Sequence, residues 1–191
     1  MRVVSILVAL ALMVSLLTIP TSAAEEMRSW KLMKTLTLLP YKGFGSTTLS
    51  HFNEAFWQWN KECSTYSLQR SLTTHEDTDF YIIMNGTGGL PQNKIYKASR
   101  WNNSSPGVAH IACNTSSTEV VSASINLNPT QPLSNGADSN AYDVWTVIIH
   151  EAGHILGFGH SDRDSVMKVT PKGTINRYLS SYDRNRLNSK C

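Results

Sequence analysis

The first strong pattern along the chain is an apolar run from Val3 to Ile19, behind a basic start at Arg2. Small residues follow at Ser22, Ala23 and Ala24. That layout predicts a secretory signal peptide over residues 1–24, cleaved after Ala24. An uncleaved signal anchor is the alternative, because a run of this length nearly spans a bilayer when tilted. No later stretch approaches roughly 18 consecutive apolar residues, so nothing after it is expected to sit in a membrane.

Beyond the run, the pattern changes period several times. Leu36 and Leu38 alternate with Thr35 and Thr37, which predicts a first strand over Leu32 to Leu39. Pro40, Gly43 and Gly45 break it. Leu49, Phe52, Phe56 and Trp59 recur at helical spacing and predict a helix from a Ser46 or Thr47 cap to about Glu62. His51 and Trp57 fall off that stripe and read as surface residues. A weak strand is expected at Tyr66 to Ser71 and a stronger one at Asp79 to Met84. Asn85 to Gly107, rich in Gly, Pro, Asn and Ser, reads as one long loop. Val108 to Cys113 predicts a short strand. Val121, Ala123, Ile125 and Leu127 alternate with Ser122, Ser124 and Asn126, which predicts a half-exposed strand at a sheet edge. Asn140, with Asp143 three residues on, predicts a helix from Ala141 to about Leu156. Ser180 with Asp183 predicts a last one. This order indicates an α+β (α/β) domain, a mixed sheet packed with about three helices.

Composition sharpens this picture only in part. Hydrophobic residues at 41% and charged residues at 16% exclude a disordered chain. Residues 25–191 have the length of one domain. A net charge of +3 is too small to imply nucleic acid. The distribution says more: no Lys or Arg lies between Arg100 and Arg163, an interval that carries Glu119, Asp138, Asp143, Glu151 and Asp162. Such an interval favours a bound cation, and the basic residues after it surround that cation with an opposite field or form a solvated surface. Three cysteines, Cys63, Cys113 and Cys191, cannot all pair within one chain. Cys63–Cys113 is the expected pair, because Cys191 ends the sequence and is expected to fray; pairing of Cys191 with either, or three free thiols, are the alternatives.

The residues that carry chemistry run from 150 to 160: His-Glu-Ala-Gly-His-Ile-Leu-Gly-Phe-Gly-His. His150 and His154 are four apart on a helix, so their side chains point the same way, one turn apart. Two imidazoles so placed bind one metal ion. Glu151, next to the first, lands beside the metal as a general base. Gly157 can take a positive φ, end the helix and turn the chain so that His160 returns as a third ligand. Three His leave one tetrahedral position open, the mark of a catalytic zinc rather than a structural one.

This stretch resembles the zinc signature of the metzincin metalloproteases. Ser161 after the third His is what the matrixin branch usually carries. Asp164-Ser165-Val166-Met167 resembles the approach to that branch's Met-turn, and the resemblance implies that Met167 packs beneath the metal. Ser122 to Asn128 is similar to the family's substrate-pairing edge strand, Gly107 to His110 to the segment before it, and Leu179-Ser180 with Asp183 to the start of its last helix. Lys168 and Val169 depart from the Tyr and Pro that often follow the Met-turn, which leaves Tyr178 as candidate wall of the specificity pocket. The resemblance implies one catalytic zinc. A second zinc is not expected, since no other His follows His110 before His150, and His110 reads as an ordinary strand residue. Calcium has no acidic cluster of suitable spacing to support it.

The expected protein is therefore a monomeric, secreted, extracellular zinc endopeptidase that takes a polypeptide as an extended strand along Val121–Leu127. A zinc-dependent protein that captures peptides without turnover, and a hydrolase of non-peptide amides, are the rival readings. Few residues separate Ala24 from Leu32, and no Cys precedes Cys63, so no inhibitory pro-segment and no activation step are expected. Asn85, Asn102, Asn103 and Asn114 open glycosylation sequons.

Overall fold

The computed structural model describes residues 27–76, 91–99, 101, 104–114 and 116–191. The expected signal segment, the strand expected at Asp79–Met84 and the sequons at Asn85, Asn102 and Asn103 lie outside them. Among the described residues no helix is long and apolar enough to cross a membrane.

The described residues form seven strands and three helices in the order β1 (Thr35–Pro40), α1 (Ser46–Asn60), β2 (Ser67–Arg70), β3 (Lys94–Lys97), β4 (Gly107–Cys113), β5 (Val120–Leu127), β6 (Leu133–Ser134), β7 (Tyr142–Asp143), α2 (Val144–Ile155) and α3 (Ser181–Leu187). Five of the strands form one mixed sheet in the order β2-β1-β3-β5-β4. β1 runs parallel to β2 and β3, β3 parallel to β5, and β4 antiparallel to β5. The α+β expectation, with a mixed sheet, an antiparallel edge strand and three helices, is what the described residues show.

The core forms where α1 and α2 lie against this sheet. Phe52, Phe56 and Trp59 of α1 are buried with Ile148, Ile149 and Ala152 of α2 and Leu38, Ile95 and Ile125 of the sheet. The helical spacing of the aromatic residues puts them on one face, and burying each side chain contributes roughly 1.5–3 kcal/mol. Trp59 also donates its indole N–H to the Ile149 carbonyl at 2.9 Å and stacks on Phe158 with ring centroids 5.0 Å apart. Thus α1 anchors the chain at Ile149 and again at Phe158.

Several expectations need correction. β5 is not at an edge: it pairs with β3 on one side and β4 on the other, and Ser124 and Asn126 are fully buried. Period-2 alternation normally marks one solvated face, but small polar side chains here are covered on both faces. β4 is the edge strand instead. The expected loop 85–107 contains β3, whose Ile95 and Tyr96 are buried between β1 and β5. Four residues among Gly, Pro and Asn are too few to show a period. The N-cap of α1 is Gly45 with no side-chain bond, so neither Ser46 nor Thr47 caps it. Asp143, not Asn140, caps α2 by accepting from the Thr146 N–H, because pairing of β6 with β7 keeps Tyr142 and Asp143 extended. The capping box of Ser180 and Asp183 at α3 is present as expected. His51 is half-buried, its ring centroid 5.4 Å from that of Trp145, whereas Trp57 is exposed.

The cysteine pairing differs too. Cys63 is bonded to Cys191 across Cα atoms 5.6 Å apart, and Cys113, on β4, is a thiol. Cys191 is not frayed, because α3 buries Leu187 and Lys190 bonds back to the carbonyls of Arg28 and Trp30. Closing a loop of sequence separation 128 stabilises by roughly 5 kcal/mol in the chain-entropy model. The basic tail is likewise knitted into the fold: Arg177 pairs with Asp143 and Arg184 with Glu62.

Candidate active site

α2 carries His150, Glu151 and His154. Its residues from Val144 to Ile149 are almost all buried, so the helix is held rigidly and its last turn opens on a cleft. Gly157 then takes φ +89° and ends the helix, its N–H bonding to the His154 carbonyl at 3.0 Å. A Cβ at Gly157 would lie 2.5 Å from the Trp30 carbonyl oxygen, so both the turn and the close approach require glycine. Gly157→Ala is expected to destabilise the fold by about 2 kcal/mol in urea unfolding; an unchanged midpoint would show that the turn relaxes.

His160 returns after this turn. The ligand atoms of His150, His154 and His160 all lie within 4.8 Å of one another. His150 Nδ1 meets the Val166 carbonyl at 2.9 Å and His154 Nδ1 the Phe158 carbonyl at 2.7 Å. A carbonyl oxygen only accepts, so both Nδ1 atoms carry the proton and both Nε2 lone pairs are left for a cation. His150 and His154 are half-buried and His160 is exposed. Burial lowers the His150 value to about 3, helped by the neighbouring His154, and the His154 value to about 4; burial lowers His160 as well. Neutral imidazoles at pH 7 are the form that ligates a metal, and this donor set fits zinc.

These values carry a stability consequence. A free imidazole titrates near 6.5, and the folded values of His150 and His154 lie well below that. The unfolded chain therefore binds more protons as pH falls. The metal-free protein is expected to be most stable, as far as this pair is concerned, above about pH 6.5. It should lose on the order of 3 kcal/mol for each of the two imidazoles as pH falls towards 4. Urea unfolding over a pH series measures it, and a flat profile across that window would count against neutral, buried imidazoles.

Glu151 is 5% exposed and its carboxylate accepts from the Ala109 N–H of β4. Burial raises its value to about 8, outweighing that hydrogen bond. Met167 is fully buried, its Sδ packed against Gly153. A side chain at Gly153 would collide with that sulfur and with the Trp59 ring, so a small residue in the middle of α2 is what lets the Met-turn approach. In the sequence the only mark of Gly153 is that it is a glycine inside an apolar helix.

Asp183 holds the Met-turn. Its carboxylate accepts from the Ser165 hydroxyl and from the N–H groups of Val166 (3.0 Å) and Ser180 (3.0 Å). At the other end of α2, burial opposes ionisation of Asp143, but hydrogen bonds from Arg177 and Thr146 outweigh it and hold the carboxyl below its usual value. Both acids are structural partners of the site rather than parts of it.

The cleft, 460 Å³ in volume, is lined on one side by β4 and on the others by α2, His160, Lys168 to Thr170, and Arg28 with Trp30. Tyr178 does not line it; this side chain is exposed beside Trp145. His110 lies within β4, where burial lowers its value.

The family model described as Matrixin matches residues 42–189, most of the chain and all of the elements described above except β1. The chain belongs to the matrixin family. That makes it a zinc metalloprotease at the level of the family, with polypeptides as the substrate class. Among curated proteins none matches it. The matrixin match spans the three histidines, Glu151 and Met167 together, and the histidine cluster supplies the donors that a catalytic zinc of this family needs.

Proposed function

We propose that this matrixin is a secreted endopeptidase in which His150, His154 and His160 hold one zinc ion and Glu151 is the general base. The observation that carries the reading is the convergence of three metal-ready imidazoles beside one buried carboxylate, in a cleft with an unpaired strand edge. A zinc ion held there supplies a Lewis acid that polarises a carbonyl and brings the pKa of water towards ~7. Glu151 takes the proton of the attacking water and delivers it to the leaving amine. Its burial keeps the carboxyl close to neutral titration, where both transfers are efficient, and a cation alongside favours the ionised form that the first transfer needs.

The substrate lies along β4, not β5. Among the described residues β4 pairs with a strand on one side only, and its other side lines the cleft. A peptide adding there as an antiparallel strand gains backbone hydrogen bonds without regard to its side chains. Lys168, Val169 and Thr170, which line the cleft after the Met-turn, are the candidates for side-chain selection. Secretion is supported by the apolar segment before Ala24 and by the Cys63–Cys191 bond, which needs an oxidising compartment. The protein acts as a monomer, without a nucleic-acid partner.

Purified protein should bind one zinc per chain and cleave a mixture of unstructured peptides internally. Cleavage should stop with a chelator and return with zinc. Stoichiometric peptide binding with zinc present and no product in the mass spectrum would replace this reading with capture without turnover.

A further inference from the structure

Residues 27–31 lie outside the motif, yet Met27, Arg28 and Trp30 touch it. Met27 forms an antiparallel bridge to Phe158, and the Arg28 N–H bonds to the Gly157 carbonyl at 2.8 Å. The Trp30 indole N–H bonds to the His154 carbonyl at 3.1 Å. Arg28 and Trp30 then line the cleft together with Ile111 of β4. Lys31 lies beside Glu119 and its carbonyl accepts from the Val120 N–H at 3.0 Å. Val120 pairs with Cys113, so this segment sits at the Cys113 end of β4. A peptide antiparallel to β4 has its N-terminal half at that end.

One side chain clamps the segment from behind. Lys190 Nζ donates to the carbonyls of Arg28 (2.6 Å) and Trp30 (2.9 Å), two of its three donors. Lys190 is itself held. Its N–H bonds to the Leu187 carbonyl at 2.8 Å, Leu187 is fully buried, and the next residue is cross-linked to Cys63. Nζ also fits over Gly157, where a Cβ would lie 2.8 Å away. Burial and the charges of Lys31 and Arg186 work against the ammonium here, so the carbonyl bonds are what hold it in place.

We propose that Lys190 is a positioning residue for substrate binding, holding Arg28–Trp30 as the cleft wall that receives the residues N-terminal to the scissile bond. The proposal rests on the peptide orientation along β4 given above. The wall contributes binding and not chemistry, so it acts on KM rather than kcat.

The test compares zinc-loaded wild-type protein, Lys190→Met and Lys190→Arg on two peptides that share the residues after the scissile bond. One peptide carries four further residues before it. Lys190→Met should shrink the advantage of the long peptide about tenfold, through KM. Lys190→Arg, which keeps charged donors, should restore most of it. Trp30→Ala, which trims the wall directly, should show the same split. Hydrogen exchange at the Arg28 amide should quicken about tenfold in Lys190→Met, while the amides of α2 keep their rates. Unchanged exchange at Arg28, equal losses on both peptides, or a loss confined to kcat would overturn the proposal. If zinc-loaded wild-type protein cleaves neither peptide, the endopeptidase reading fails on its own. The wall is then judged by affinity, and a long peptide bound no tighter than the short one overturns it.

Discussion

Glu151→Gln is expected to lower kcat for peptide cleavage by about 10²–10⁴-fold with one zinc still bound. The amide has nearly the shape of the carboxyl and its oxygen can still accept from the Ala109 N–H, so the cleft keeps its form. It cannot take a proton from water at any working pH. The imidazoles keep their anchors, because His150 Nδ1 bonds to the Val166 carbonyl and His154 Nδ1 to the Phe158 carbonyl. Stability supplies a second readout with the opposite sign. The folded value of Glu151 is about 8 against 4.5 for the ordinary group. Between those values the unfolded chain sheds a proton that the folded chain retains, so stability falls as pH rises. Removing the titrating group should therefore stabilise the metal-free protein by on the order of 2 kcal/mol at pH 7, an advantage that vanishes near pH 4.5. Steady-state rates, zinc analysis and urea unfolding at both pH values measure all of this. A zinc-loaded variant that cleaves at the wild-type rate would remove Glu151 from the reaction.

Asp183→Ala is expected to cost about 3–5 kcal/mol of stability and roughly tenfold in zinc affinity. The carboxylate is 1% exposed and satisfies the Ser165 hydroxyl and the N–H groups of Val166 and Ser180. Alanine would leave all three donors buried without a partner. The effect then travels a short way. The Val166 carbonyl receives the His150 ring proton, and the Met167 N–H bonds to the Ser165 hydroxyl at 2.9 Å. Loosening Ser165 and Val166 therefore frees the tautomer and orientation of His150 and the backbone of Met167. Asp183→Asn should lie between, since it keeps one acceptor oxygen but turns an amide N–H towards a donor. Urea unfolding and a competition titration with a chelator report the two effects, and a loss under 1 kcal/mol would mean that water replaces the carboxylate.

What was legible beforehand depended on distance along the chain. The facing of His150 and His154, the place of Glu151 and the turn at Gly157 follow from helical geometry and from glycine's freedom, both local. The capping box of Ser180 and Asp183 is local in the same way, but the second task of Asp183 is not. Its partners Ser165 and Val166 lie across a loop, and no spacing rule connects them. β3 was hidden because four residues, Lys94–Lys97, give no period. The alternation in β5 was read correctly as a strand and wrongly as an edge, because alternation reports side-chain polarity and not backbone pairing on either side.

The sequence by itself therefore determined the helix that carries His150, Glu151 and His154 and the turn that ends it, since each arises within one or two turns of backbone. Only the tertiary structure decided that Cys191 pairs with Cys63, that β4 rather than β5 is the open edge, and that Arg28 and Trp30 wall the cleft under Lys190. Those choices are made by hydrogen bonds and packing between segments far apart in the chain. The free energy that selects them belongs to the contact and leaves no periodic trace in either segment alone.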